Sequence, residues 1–143
     1  MKVIDDFREE YDFLSNFYIC RIEFEGRRYM HTEGMFQAFK VHDEKEKDKM
    51  SELSPSQAKK YGKKVPLRKD WEQVKDECMY KCLVEKFTQH KDLGQKLLDT
   101  GDALLVEGNT WGDRYWGVCR GKGENHLGIL LMMVREDLRE GRI

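Results

Sequence analysis

The sequence predicts an α+β fold: a single helix-dominated domain over residues 1–143 with one small β-sheet. Three observations lead there. The stretch from Trp71 to Gln89 carries the strongest helical periodicity of the chain, and a second amphipathic stripe runs near the carboxyl end. Only short segments, around Ile19 to Tyr29 and Ala103 to Val106, read as strands. A chain of 143 residues suits one domain. Its 39% hydrophobic residues, with three Trp, six Tyr and seven Phe, supply a core and argue against disorder.

Taken in order, Tyr11 to Phe17 is an aromatic-rich segment broken by Ser15-Asn16. Ile19, Ile22, Phe24 and Tyr29 flank the turn signal Glu25-Gly26 and predict a short hairpin. Thr32 reads as an N-cap for a short helix from Glu33 to about Val41. The highly charged run from His42 to Glu52 reads as a solvated helix end or loop. Ser54-Pro55 starts a two-turn helix over Pro55 to Tyr61, which Gly62 stops. Asp70 and Gln73 have the spacing of a capping box for the long helix, whose Trp71, Val74, Cys78, Met79, Cys82, Leu83 and Phe87 keep helical spacing. A shorter helix holding Leu93, Leu97 and Leu98 ends at Gly101, and Ala103 to Val106 follows as a buried strand. Gly108 to Gly123 is a glycine-rich loop, of the length that compact domains reserve for function. Leu127, Leu130, Leu131, Val134 and Leu138 line the final helix.

Charge narrows the function. Charged residues make up 37%, yet 26 Lys and Arg against 27 Asp and Glu leave a net charge of -1. That balance argues against wholesale binding to a polyanion and leaves room for a local phosphate site. No run approaches the roughly eighteen apolar residues of a membrane span, and Met1 to Asp6 lacks the apolar stretch of a secretory signal. Cys20, Cys78, Cys82 and Cys119 form no C-x-x-C pair and lack zinc-finger spacing, so buried reduced thiols are expected and a metal site is not. The expectation is a soluble cytoplasmic protein without membrane attachment.

Three clusters carry chemical possibilities. Helical steps of four and three put Glu33, Gln37 and Lys40 on one face, joining a carboxylate, an amide and an ammonium. A solvated surface explains such a stripe in isolation, but aromatic neighbours and the preceding hairpin fit the wall of a cleft. Lys59, Lys60, Lys63, Lys64, Arg68 and Lys69 form a basic segment. Helix-dipole complementation accounts for about half of it; Arg68, with its planar fork, best suits a phosphate. In the late loop, glycines permit close backbone approach to an anion, while Trp111 and Trp116 flank Asp113 and could stack on a base. No P-loop or dinucleotide fingerprint is present. From residues alone the reading stops at a site for a phosphate-bearing, base-like ligand.

Several ordered motifs go further: Phe13-Leu14-Ser15-Asn16-Phe17, Thr32-Glu33 with Phe36-Gln37-Ala38-Phe39-Lys40, and Pro66-Leu67-Arg68-Lys69-Asp70-Trp71. After them come Lys86-Phe87, Leu105-Val106-Glu107, Trp111-Gly112-Asp113-Arg114-Tyr115-Trp116-Gly117 and Gly123-Glu124-Asn125-His126-Leu127-Gly128. The set resembles the YbiA-like, or NADAR, family of N-glycosidases from about residue 7 to residue 138. The resemblance implies hydrolysis of an N-glycosidic bond without a cofactor. Some members of that family split phosphorylated intermediates of riboflavin biosynthesis; others release ADP-ribose from modified guanine in nucleic acids or nucleotides. It also implies catalytic roles for Glu33 and Asp113, with Lys40 as a further participant. Glu33 would stabilise an oxocarbenium-like ribose or activate water, and Asp113 would protonate the base or orient ribose hydroxyls. Lys40 could instead form a Schiff base with ring-opened ribose. Arg68 would hold phosphate, Trp71, Trp111 or Trp116 would stack on the base, and Asn16 and Asn125 would bond ribose. Phe17 and Gly117, inside the motifs, complete the expected ligand-binding set. Many members have His directly after the glutamate where this chain has Gly34, which implies altered activity or substitution by His31 or a water. The competing class is a module that binds ADP-ribose or a nucleotide without cleaving it. Nothing in the sequence points to a protein partner.

Overall fold

The computed structural model describes residues 1–143. In chain order, β1 (Val3–Ile4) leads to a 3-10 turn (Glu9–Leu14), then to β2 (Ile19–Phe24) and β3 (Arg27–His31). Helices α1 (Thr32–Ala38), α2 (Glu44–Glu52), α3 (Pro55–Gly62), α4 (Trp71–Gln89) and α5 (Lys91–Asp99) follow. Short strands β4 (Leu104–Leu105), β5 (Gly108–Asn109) and β6 (Val118–Cys119) precede α6 (His126–Arg139). The α+β, helix-dominated class is what the structure shows. Its β content differs from the single sheet expected, because it is divided among three two-stranded ladders. No helix is long and apolar enough to cross a membrane.

The chain forms two compact units, one of residues 16–89 and one of residues 1–15 with 90–143. In the 16–89 unit, β2 and β3 pair antiparallel, with Ile22 opposite Tyr29 and Phe24 opposite Arg27. Glu25 and Gly26 both take positive φ (49° and 77°), the geometry of a tight hairpin turn whose twist matches its strands. Helix α1 starts one residue earlier than the sequence suggests. Thr32 is already helical, and the cap is the His31 imidazole, whose Nδ1 accepts the Gly34 N–H at 2.9 Å. The helix also stops at Ala38, short of Val41.

The charged run does not merely trail off as a loop: Glu44–Glu52 is a helix of its own. Asp43 caps it by accepting from Lys45 N (2.7 Å) and Glu46 N (3.3 Å), and Met50 is its one buried residue. Ser54 and Gln57 make the reciprocal capping box that starts α3, with Pro55 at the first turn. Along α4 the buried side chains are Trp71, Cys78, Met79, Cys82, Leu83, Lys86 and Phe87. That is the predicted stripe without Val74, which is only half-buried, and with one addition, a fully buried lysine. Lys86 Nζ lies 5.5 Å from the Tyr18 ring centroid, a face that attracts a cation.

In the other unit, β1 and β4 pair in parallel, Val3 beside Leu104 and Ile4 beside Leu105. Leu93 and Leu97 of α5 and Leu127, Leu130, Leu131 and Val134 of α6 are all buried. Arg135 of α6 is buried too, and it donates to Thr100 Oγ1 and the Ala103 carbonyl, both at 2.9 Å. It thereby satisfies acceptors where α5 ends and β4 is about to begin. The late loop is less irregular than expected, since β5 and β6 pair in parallel within it. All four cysteines are buried thiols.

Gly128 in the first turn of α6 shows how closely this unit is packed. A Cβ there would lie 2.1 Å from the Leu105 carbonyl oxygen and 2.4 Å from Asn125 Nδ2. Glycine-to-alanine changes inside helices normally stabilise by up to about 1 kcal/mol. Gly128→Ala is expected to do the reverse, destabilising by roughly 1–3 kcal/mol through overpacking against backbone. Urea unfolding of the variant measures it; a stability equal to or above that of the parent protein would contradict this packing.

Candidate active site

The polar row that the sequence places on one face forms a connected group in the 16–89 unit. Glu33 is the second residue of α1 and only 8% exposed. Its N–H donates to the Asn16 carbonyl at 3.0 Å, tying the helix start to the segment before β2. One turn on, Gln37 Nε2 donates to Glu33 Oε2 at 2.6 Å. The amide N–H donates and Glu33 Oε2 accepts, which fixes the carboxyl group against α1. Gln37 reaches that position because residue 62 is glycine: a Cβ there would sit 1.8 Å from Gln37 Oε1.

Lys40 extends the row past the end of α1. Its N–H still bonds the Gln37 carbonyl (3.1 Å), and its Nζ donates to the Gly62 carbonyl (3.3 Å) while lying 5.9 Å from the Trp71 ring centroid. Burial lowers the Lys40 pKa from its ordinary value; the Glu33 charge opposes that, and Lys63 and Lys75 add to it as neighbouring cations. A half-buried ammonium therefore lies within the field of Glu33 and of two further lysines.

Three buried side-chain atoms here have no hydrogen-bond partner: Asn16 Oδ1, Thr32 Oγ1 and Gln37 Oε1. All belong to α1 or to the residue whose carbonyl receives the Glu33 N–H. Native proteins leave few such atoms unpaired, so a cluster of them calls for an explanation. Asn16 also makes a weak contact through Nδ2 to the Met79 sulfur at 3.6 Å.

Other expected ligand residues have different employment. Arg68 spends its fork on Asp70, with Nε to Oδ1 at 2.6 Å and Nη2 to Oδ2 at 3.0 Å, and Nη1 reaches the Phe39 carbonyl at 3.4 Å. Two residues' separation lets the guanidinium and carboxylate pair, so the bidentate phosphate grip expected of Arg68 is already filled. Trp71 is not an open stacking platform: it is 6% exposed and packs on Phe36 with ring centroids 5.2 Å apart. Phe17, by contrast, is 41% exposed. A Cβ at Gly34 would meet His31 Cε1 at 2.9 Å, so the His31 ring fills the space where a residue-34 side chain would begin.

Asp113 and its neighbours lie in the other unit. Asp113 Oδ1 accepts from the Tyr115 N–H (3.1 Å) and the Trp116 N–H (2.9 Å), bracing the turn between the two tryptophans. Asn109 clamps Asp113 from behind, its Nδ2 donating to the Asp113 carbonyl and its Oδ1 accepting the Asp113 N–H. The same Nδ2 reaches Glu107 Oε2 at 2.9 Å. Tyr115 stacks on His126 with centroids 4.0 Å apart, and Trp116 meets Tyr115 edge-on. Trp111 is 61% exposed. Asn125 is anchored to backbone at both atoms, Oδ1 accepting the Glu107 N–H and Nδ2 donating to the Leu105 carbonyl. Gly117 is a packing residue, since a Cβ there would fall 1.7 Å from Glu107 Oε2.

Sequence reasoning missed Glu107 and Asn109 as braces of this loop and Gly62 as the space that admits Gln37. Asn109 next to Gly108 was a visible turn signal, but the partner of Gly62 lies 25 positions earlier and leaves no local mark.

Comparison with known proteins agrees with this architecture. The NADAR domain profile matches residues 4–139. N-glycosidase YbiA of Escherichia coli K12 is 43% identical over 134 residues, covering 91% of this chain and 83% of that protein. The NMR structure of the E. coli protein YbiA matches with a TM-score of 0.88 at 40% identity, over 99% of this chain and 89% of that one. A riboflavin biosynthesis protein of Vibrio vulnificus is 37% identical over 92% of this chain, which spans 37% of that longer protein. The chain belongs to the NADAR-domain family.

The lowered Lys40 pKa has a direct chemical readout. A lysine with a depressed pKa holds more neutral amine at a given pH, and only the neutral amine adds to an aldehyde. Reductive methylation with formaldehyde, followed by peptide mass mapping, should show Lys40 modified at a lower pH than exposed Lys45 and Lys91. Parallel pH profiles for all three would contradict the assignment.

Proposed function

We propose that the protein is an N-glycosidase, a hydrolase that cleaves the bond between ribose C1′ and a base nitrogen in a phosphorylated, nucleotide-type substrate. One observation carries the reading: a buried carboxylate, Glu33, held by the Gln37 amide and electrostatically coupled to the half-buried Lys40 ammonium. As the C1′–N bond breaks, its electron pair leaves with the base and positive charge grows on the ribose ring. Water then adds to C1′ and gives up a proton. A fixed carboxylate suits that reaction twice over, since it stabilises the cationic ring and can accept the proton from water.

The unpaired atoms fit the same substrate. Asn16 Oδ1, Thr32 Oγ1 and Gln37 Oε1 lack donors, and ribose hydroxyls are donors. With Arg68 taken by Asp70 and Lys75 by Glu72, we assign the phosphate to the cationic neighbourhood of Lys40 and Lys63. In the other unit, we assign ligand contact to the late loop. Exposed Trp111 offers a stacking face there, and Asp113 keeps one oxygen beyond its turn-bracing role for base or hydroxyl.

Between the two substrate classes, we favour ribosylamino-pyrimidine phosphates of the riboflavin route, because a relative matching 92% of this chain is named a riboflavin biosynthesis protein. The protein is incubated in parallel with such phosphates and with an ADP-ribosylated guanine oligonucleotide, and the released base is identified. Base release from the pyrimidine phosphates is expected. Glu33→Gln, which keeps an acceptor oxygen for Gln37, is expected to fold and bind normally while losing about 3 kcal/mol or more of transition-state stabilisation, over a hundredfold in rate. Release from the oligonucleotide alone would redirect the substrate assignment, and unchanged turnover of the variant would remove Glu33 from the chemistry.

A further inference from the structure

We infer that His31 is a positioning residue for Glu33, and that glycine at position 34 is the space its ring requires. This rests on Glu33 being the reacting carboxylate, as proposed above, and adds the device that aims it.

The imidazole is fixed at both ends. His31 is the last residue of β3, in extended conformation (φ −167°, ψ 159°), and its side chain is 2% exposed. Nε2 lies 2.8 Å from the Leu53 carbonyl, which can only accept, so Nε2 carries the proton. Nδ1 is therefore bare and accepts the Gly34 N–H at 2.9 Å. Burial favours this neutral form by holding the imidazole below its ordinary pKa. Helix caps are usually short side chains such as Ser, Thr, Asp or Asn, which are anchored only through the cap itself. Here the cap is a rigid ring with a second anchor on Leu53, just past the end of α2.

The glycine and the ring are matched. A Cβ on residue 34 would lie 2.9 Å from His31 Cε1, 3.2 Å from Nδ1 and 3.4 Å from the Met50 carbonyl oxygen. The ring cannot retreat without lengthening one of its two hydrogen bonds. A side chain at 34 and an imidazole at 31 therefore compete for one place, and this chain gives it to the imidazole.

Glu33 is caught between these restraints. Its own N–H is held by the Asn16 carbonyl, and the next N–H is held by His31. With both successive amides fixed, the backbone of residue 33 has little freedom to rotate. The direction of its Cα–Cβ bond, from which the side chain reaches Gln37, is thereby set before any ligand arrives. An ordinary cap on the same helix would secure the helix; the doubly anchored ring also secures the angle.

The test compares His31→Ala, His31→Asn, Gly34→Ala and the double variant His31→Asn/Gly34→Ala. Two NMR signals are followed in the full chain: the Glu33 side-chain carboxyl carbon and hydrogen exchange of the Gly34 amide. His31→Ala is expected to shift the Glu33 signal and speed Gly34 exchange roughly fivefold or more. His31→Asn, which restores a capping oxygen, should bring exchange back towards the parent value and the Glu33 signal part of the way. Gly34→Ala should displace the Glu33 signal when His31 is present and leave it near that of His31→Asn when it is not. A Glu33 signal unmoved in His31→Ala, even with faster exchange, would reduce His31 to a plain cap and overturn the inference. So would a Gly34→Ala variant indistinguishable from the parent protein. Retained base release in Glu33→Gln would overturn the catalytic reading through a different experiment, so the two failures are told apart.

Discussion

The hydrogen bond from Gln37 to Glu33 is the constraint around which the candidate site is built. A carboxylate at 8% exposure loses most of its hydration, a cost of several kcal/mol unless donors replace the water. Gln37 Nε2 at 2.6 Å is one such replacement, and Lys40 contributes field from the same face. The bond exists because Gly62 leaves room for the amide, which couples α3 to the charge state of a residue on α1. The features that look incidental here, a glycine at a helix end and a glutamine one turn along, set where a negative charge can be buried.

Both units achieve such positioning by close backbone approach rather than by large polar networks. Gly34 admits the His31 ring, Gly62 admits Gln37, and Gly117 admits Glu107 and Asn109. Each absent Cβ lets a polar side chain reach backbone or another polar group at hydrogen-bond range. Paired charges follow the same economy. The Arg68–Asp70 pair, bidentate and two residues apart, stiffens the entry to α4 and removes a strong phosphate ligand from circulation. That leaves lysines, which carry charge without a fixed geometry, and of these Lys40 is electrostatically coupled to Glu33.

What could be read from the sequence follows from the range of each interaction. The hairpin turn at Glu25-Gly26, the Ser54 cap with Pro55 behind it and the buried stripe of α4 depend on neighbours within one or two turns, and local spacing displayed them. The row Glu33, Gln37, Lys40 was visible for the same reason. The role of His31 was not, because choosing it over Thr32 as the cap depends on Leu53, which is 22 positions away. The commitment of Asn125 to Leu105 and Glu107 was hidden by separations of 20 and 18 residues. The helix over Glu44–Glu52 was obscured by composition: a single buried Met50 gives no periodicity, and its start depends on one Asp43 cap. Residue types announced that chemistry was present; which of them were already occupied by other protein groups required the structure.

The Gln37 side-chain amide reports directly on whether its bond to Glu33 persists in solution. In the NMR spectrum of the folded protein at neutral pH, one Nε2 proton should be shifted downfield and exchange slowly, and Glu33→Ala, which removes the acceptor, should erase both properties. A Gln37 amide that exchanges like those of exposed glutamines at neutral pH would contradict the central claim.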